Sequence, residues 1–295
     1  MMEVFFNLSV NVLIQSLIYA VLTYGIYITY KILDFPDLTV DGSFPLGAAV
    51  SALLLVNGAD PWLTIVAAAL SGALAGLFTG IIHVKFKVRD LLAGIITMTA
   101  LFSLNLQIAG SNLTVDRATP TIFTSGIAMR LFGGLSLSLR KLIISALIAF
   151  AIKILLDIFF KTKYGMLLFA VGDNERFVTS LARDKGSVKI MGLVISDALV
   201  AISGCLVCQE QRSFSATMGT GQMVFGLAAV IIGSTVFRKM SFVKGTSCAL
   251  AGSLIYKLCI QIAILLGLPA NLLKMVTAVL FLVILIVGQS RTREA

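Results

Sequence analysis

The chain is a succession of long apolar runs broken by short polar connections. Nine runs stand out, at roughly 8–33, 43–57, 62–82, 91–109, 139–160, 190–210, 222–237, 245–267 and 272–288. A helix needs about 20 predominantly apolar residues to cross a hydrocarbon core about 30 Å thick. Lipid offers no partner for an unpaired amide, so such runs are helices, which close their hydrogen bonds within the segment. The alternation of apolar and polar positions that a membrane barrel requires is missing from these segments. The pattern predicts an all-α polytopic membrane protein, with about nine transmembrane helices forming one domain over residues 1–295.

Composition strengthens this expectation. The chain is 58% hydrophobic and 13% charged, against about 25% charged in a soluble domain. The start, Met-Met-Glu, lacks the basic region of a cleaved signal, and the first apolar run is too long for one, so it is expected to remain as a helix. Lys and Arg set the orientation. With the N-terminus outside, fifteen of the 23 fall in cytoplasmic connections and five in outer ones. The C-terminus is then cytoplasmic and the chain lies multi-pass in the cell membrane. The net charge of +9 faces anionic headgroups and requires no nucleic acid.

The two halves of the chain resemble each other at an offset of about 180 residues. Asp41-Gly-Ser-Phe-Pro-Leu-Gly-Ala-Ala-Val50 parallels Thr220-Gly-Gln-Met-Val-Phe-Gly-Leu-Ala-Ala-Val230. Ser71-Gly-Ala-Leu-Ala-Gly76 parallels Ser247-Cys-Ala-Leu-Ala-Gly252, and Leu91-Leu92 through Phe102 parallels Leu272-Leu273 through Phe281. The shift is five spans, an odd number, so spans 2–4 and 7–9 form an inverted repeat, a recurring architecture of transporters. The second and seventh spans are also the shortest and the richest in Gly and Pro. Interrupted segments in corresponding positions of two repeats point to a translocation path. Its candidate residues are Asp41, Gly42, Ser43, Gly47, Gly221 and Gly226. Asp41 or Ser43 is also placed to cap the second helix. Gly72, Gly76 and Gly80 form a double GxxxG that lets another helix approach.

Charges inside apolar runs are expensive and invite a functional reading. Lys153 and Asp157 are four apart and can pair on one helix face. Glu210 falls at a span end, and Lys257 within one. Asp197 is the deepest acid without a local partner, which adds it to the path candidates as a lining or proton-relay group. Cys205 and Cys208 sit in an apolar run without His or charged neighbours, as small packing residues do. A single histidine, and the absence of HExxH, GxSxG and GxxxxGK[ST], exclude the common hydrolases and an ATP-binding loop in this chain. Nothing asks for a metal or cofactor, and no catalytic residue is expected.

The connection at 161–189 is long, basic and cytoplasmic under this topology. Asp173 is placed to N-cap a short helix after Gly172, with Glu175 at its start and Arg183 and Lys185 at its end. Phe177 and Leu181, with Val178 and Ala182, give it one small apolar face. A helix of about ten residues is marginal alone in water, so it needs a partner. A surface-lying helix on lipid is the alternative.

These residues resemble a known family. Tyr164-Gly-x4-Ala-Val-Gly-Asp-Asn-Glu175, then Ile190-Met-Gly-Leu-Val-Ile-Ser-Asp-Ala-Leu199, Ser203-Gly204, Gly219-x-Gly221 and Gly226-Leu-Ala-Ala-Val-Ile-Ile-Gly233 are similar to permease subunits of the ABC importers serving branched-chain amino acids and ribose. Phe35-Pro-Asp-Leu-Thr-Val-Asp-Gly-Ser-Phe-Pro-Leu-Gly-Ala-Ala49 resembles the branch whose binding proteins include aromatic amino-acid binders. The resemblance runs from about 15 to 288. It implies a non-catalytic permease that passes a small solute, an amino acid or similar, delivered by an extracytoplasmic substrate-binding lipoprotein. It implies two further partners: cytoplasmic ATPase subunits, docked on the 161–189 loop through Gly172, Asp173, Asn174, Glu175, Phe177, Val178, Leu181 and Arg183, and a second permease copy. The alternative, an ion-coupled secondary transporter, also shows inverted repeats but needs no cytoplasmic docking helix.

Overall fold

The computed structural model describes residues 2–173, 185–237 and 243–265, with 267, 272, 275, 277–279 and 282 beyond them. Most of the expected ninth span and of the expected docking helix lies outside these residues.

Among the described residues, six helices are long and apolar enough to cross a membrane. The first, α1 (Met2–Ile26), continues into a π-turn at Tyr27–Ile32. It is followed by α2 (Val40–Val56), α3 (Pro61–Val84) and α4 (Asp90–Ala109). A short strand β1 (Asn112–Thr114) and helix α5 (Gly126–Phe132) lead to α6 (Leu137–Phe159). Then come α7 (Lys163–Asp173), α8 (Lys185–Gln211), β2 (Ser213–Ser215), α9 (Gln222–Val236) and α10 (Gly245–Leu265). The six are α1 with its π-turn, α3, α4, α6, α8 and α10. Helices α2 and α9, at 17 and 15 residues, extend only about 25 and 22 Å at 1.5 Å per residue. Neither crosses a 30 Å core alone.

Helix α8 is the centre of the bundle, packed on α1, α2 and α3. It runs antiparallel to α1: the Ser196 hydroxyl donates to Gly25 O at 2.9 Å and the Ser203 hydroxyl to Ile18 O at 3.0 Å. The glycine stripe of α3 does what its spacing predicts. A side chain at Gly72 would strike the backbone of Asp197 and one at Gly76 the Leu193 carbonyl, and one at Gly80 would press on Ile190. Small residues let the two backbones touch, and that is how helices associate where there is no hydrophobic effect between them.

The connection at 110–138 carries β1, paired antiparallel with β2, and the short α5. Arg212 ties it down, donating to Asp116 O at 2.6 Å and Thr119 O at 2.9 Å. The buried Gln209 accepts from Ile122 N at 2.8 Å and donates to the Thr64 hydroxyl at 2.8 Å. Large apolar side chains on α3, α4 and α6 remain exposed, among them Leu70, Leu74, Ile96, Leu147 and Leu155, as a lipid-facing surface requires.

Candidate functional site

The two short helices meet. Ser43 of α2 lies against Asp197, the midpoint of α8, and Gly47 lies against Ala201. Helix α2 therefore begins halfway along α8 and runs beside its second half. Helix α9 starts close by and runs the other way, with Gly226 against Leu22 and Ile26 of α1 and Gly233 against Cys248 of α10. Their N-termini come together near mid-depth.

Asp41 makes the junction. In the first turn of α2, it accepts hydrogen bonds from Gly221 N at 3.0 Å and Met223 N at 2.8 Å. An α-helix leaves its first amides unpaired, and here a carboxyl from another helix takes up two of them. Gly221 has φ +87°, a left-handed conformation that other residues adopt only with strain. The expectation that Asp41 or Ser43 caps α2 is thus corrected: Asp41 caps α9, and Ser43 donates to Asp197 Oδ1 at 2.7 Å. The entry to α2 is instead stabilised by Asp37, which accepts from Thr39 N at 2.8 Å. Sequence reasoning missed Asp37, whose signal was its place three residues before the helix start.

Gly42 is held from the side by α4: Asn105 donates to its carbonyl at 3.2 Å. A buried threonine ladder, Thr39 to Thr79 at 2.8 Å and Thr79 to Thr97 at 2.9 Å, joins α2, α3 and α4 just below. Asp197 is fully buried. Its carboxyl faces that of Asp37, and neither Oδ2 receives a hydrogen bond from an amide or hydroxyl among the described residues. In the single chain Gly42, Ser43, Gly47, Gly226 and Asp197 are all buried, whereas Gly221 is exposed and Asp41 half-buried. Of these residues, only Asp41 and Gly221, at the junction, reach a surface.

Three of the other span charges are paired. Lys153 meets Asp157 at 3.2 Å, as their spacing predicts, and Lys244 at 2.9 Å and Thr246 at 2.6 Å converge on the same carboxyl. Glu210 pairs with Lys141 at 2.8 Å. Cys205 and Cys208 are buried thiols.

At the other end, Gly172 and Asp173 form the last turn of α7, an eleven-residue helix that the sequence reading did not predict within the 161–189 connection. Gly172 packs directly on the Ile32 carbonyl at the end of the π-turn, and a recess lined by Tyr30, Lys31, Asp34, Phe169 and Asp173 opens there. Asn174, Glu175, Phe177, Val178, Leu181 and Arg183 lie outside the described residues.

Residues 8–285 match the family model described as the branched-chain amino acid transport system / permease component. A tyrosine transport system permease protein of Clostridioides difficile is 41% identical over 279 residues, covering 95% of this chain and 90% of the relative. An uncharacterized protein of Rickettsia prowazekii is 31% identical, covering 94% and 96%. A ribose import permease protein of Bacillus subtilis is 27% identical, covering 76% and 67%. The match decides against the ion-coupled alternative. Permeases of this kind are multi-pass plasma-membrane proteins and non-catalytic; a separate ATPase hydrolyses ATP, and a substrate-binding protein delivers the solute. With its multi-span helical bundle and its two short helices joined end to end, the chain belongs to this family as the membrane-spanning permease component of an ABC-type importer.

Proposed function

We propose that the solute crosses along α2 and α9, at the interface of two copies of this chain, and that the junction at Asp41 is the centre of the path. The observation that carries this is the capping of α9 by Asp41. Gly221 lies 180 residues beyond Asp41 and next to Thr220, with which the repeat aligns Asp41. Contact between a residue and the neighbourhood of its repeat equivalent supports a pseudo-twofold axis there, as at a self-complementary interface. The packing supports the same axis: α3 lies on α8 as α10 lies on α1, and α2 lies on α3 as α9 lies on α10. The reading is therefore an inverted repeat of spans 2–4 and 7–9 in a nine-span chain with its C-terminus in the cytoplasm. Discontinuous half-helices whose N-termini meet at mid-depth are a recurrent way to build a transport site.

The 161–189 loop docks the ATPase in this reading, with α7 carrying its entry and Phe177 and Leu181 facing the partner. The cargo is an amino acid, a choice supported by the tyrosine transport permease that shares 41% identity over nearly the whole chain.

Single cysteines along 42–50 and 221–230, with Cys205, Cys208, Cys248 and Cys259 replaced, test the path. Labelling by a water-soluble thiol reagent follows one face of each segment and changes when ATP binds. Unreactive positions throughout both segments, with reactivity along 139–160 instead, would move the path to α6.

A further inference from the structure

One cation inside the bundle faces no anion among the described residues. Lys257 lies at the thirteenth of 21 residues in α10, well away from either end. Its ammonium does not extend along the helix to the interface, the usual resort of a lysine in a membrane span. It sits 3.4 Å above the centroid of the Tyr19 ring and 5.2 Å from that of Phe225. No carboxylate among the described residues lies within 4 Å of it. The rings continue into a cluster: Tyr19 stacks on Phe44 at 5.9 Å, and Phe225 meets Tyr256 edge-on at 4.9 Å. Phe225 is in the first turn of α9 and Phe44 in the first turns of α2. The lysine therefore stands beside the junction made by Asp41.

A polar stripe leads to it. Asn11, Gln15 and Tyr19 recur every fourth residue on α1, which places them on one face, and all three are at least partly exposed. Lys257 and Gln261 share a face of α10 by the same spacing and are half-buried. Under the orientation proposed above, this stripe runs from the outer end of the bundle inward to Lys257.

We infer that Lys257, resting on Tyr19 and Phe225, is the point on the path that receives the carboxylate of the cargo. Ring faces hold a cation weakly enough to release it and well enough to keep it from standing bare. With the path empty, the ammonium rests on Tyr19. A carboxylate entering along the stripe displaces the ring as its partner and gains a charge-assisted hydrogen bond. This rests on the proposed path and amino-acid cargo, and it adds the group that recognises the cargo's charge.

The test uses the complete complex of permease, ATPase and binding protein in proteoliposomes. Uptake of L-tyrosine, L-leucine and ribose by the wild type comes first; ribose uptake alone would overturn the amino-acid reading, and this inference with it. Where an amino acid is carried, Lys257→Met lowers its uptake at least tenfold and Lys257→Arg leaves it within about threefold, while stimulation of ATP hydrolysis by loaded binding protein persists in both. Lys257→Cys, with the four native cysteines replaced by alanine, is inactive until aminoethyl methanethiosulfonate rebuilds an ammonium there. Sulfonatoethyl methanethiosulfonate does not restore it. Amino-acid uptake unchanged in Lys257→Met, or a thiol in the Lys257→Cys variant that is unreactive with and without ATP, would overturn the inference while leaving the proposed path standing.

Discussion

Removing the Asp41 carboxyl should loosen the start of α9 and little else. The side chain accepts two amide hydrogen bonds, at 3.0 and 2.8 Å, from Gly221 and Met223. A hydrogen bond contributes about 1 kcal/mol net, so Asp41→Ala costs about 2 kcal/mol, at the upper end of what loss of a helix cap costs. Asp41→Asn keeps one carbonyl oxygen and costs about 1 kcal/mol. Both amides belong to one helix terminus, so the loss falls on local opening of that turn. At 1.4 kcal/mol per decade, amide exchange of residues 221–223 should speed up about thirtyfold in Asp41→Ala and about fivefold in Asp41→Asn. Hydrogen–deuterium exchange read by mass spectrometry on a peptide covering 219–226 measures this, with a peptide from the centre of α8 as the internal reference. Equal exchange in all three proteins would refute the cap. Equal acceleration in the α8 peptide would show global destabilisation in place of local opening.

Two further outcomes follow from packing and from the loop. Gly76→Leu, whose first side-chain atom would strike the Leu193 carbonyl, should destabilise the bundle by about 3 kcal/mol, at the upper end of overpacking costs. Gly126→Leu, where nothing lies within 4 Å, should leave the midpoint of an SDS unfolding titration unchanged, and a matching shift in both would remove the close-approach argument. Replacing Phe177 and Leu181 together by Asp should abolish solute uptake while ATP turnover continues and the permease stays in the membrane, as followed in paired uptake and phosphate-release assays; normal uptake would remove the docking role of the loop.

Much was legible in the sequence because membrane helices announce themselves. Apolar run length is set by bilayer thickness, and the GxxxG stripe of α3 by backbone approach, so six long spans and the close face of Gly72, Gly76 and Gly80 could be named from spacing alone. The Lys153–Asp157 pair was legible for the same reason, since partners four apart share a helix face. The shortness of α2 and α9 was also visible, through the length of their apolar runs and their Gly and Pro content. What the sequence could not reveal was the partner of each side chain across the bundle. Asp41 stood where a residue capping its own helix would stand, and only the tertiary structure turned it onto α9. Asp197 had no local partner because its partner, Ser43, comes from 154 residues away. Lys257 looked like one more charge in a span until the fold set two aromatic rings beneath it. Periodicity fixes the face a residue occupies on its own helix, because 3.6 residues complete a turn. The group it meets depends on how helices pack, and that is decided only once distant segments share the same few ångströms.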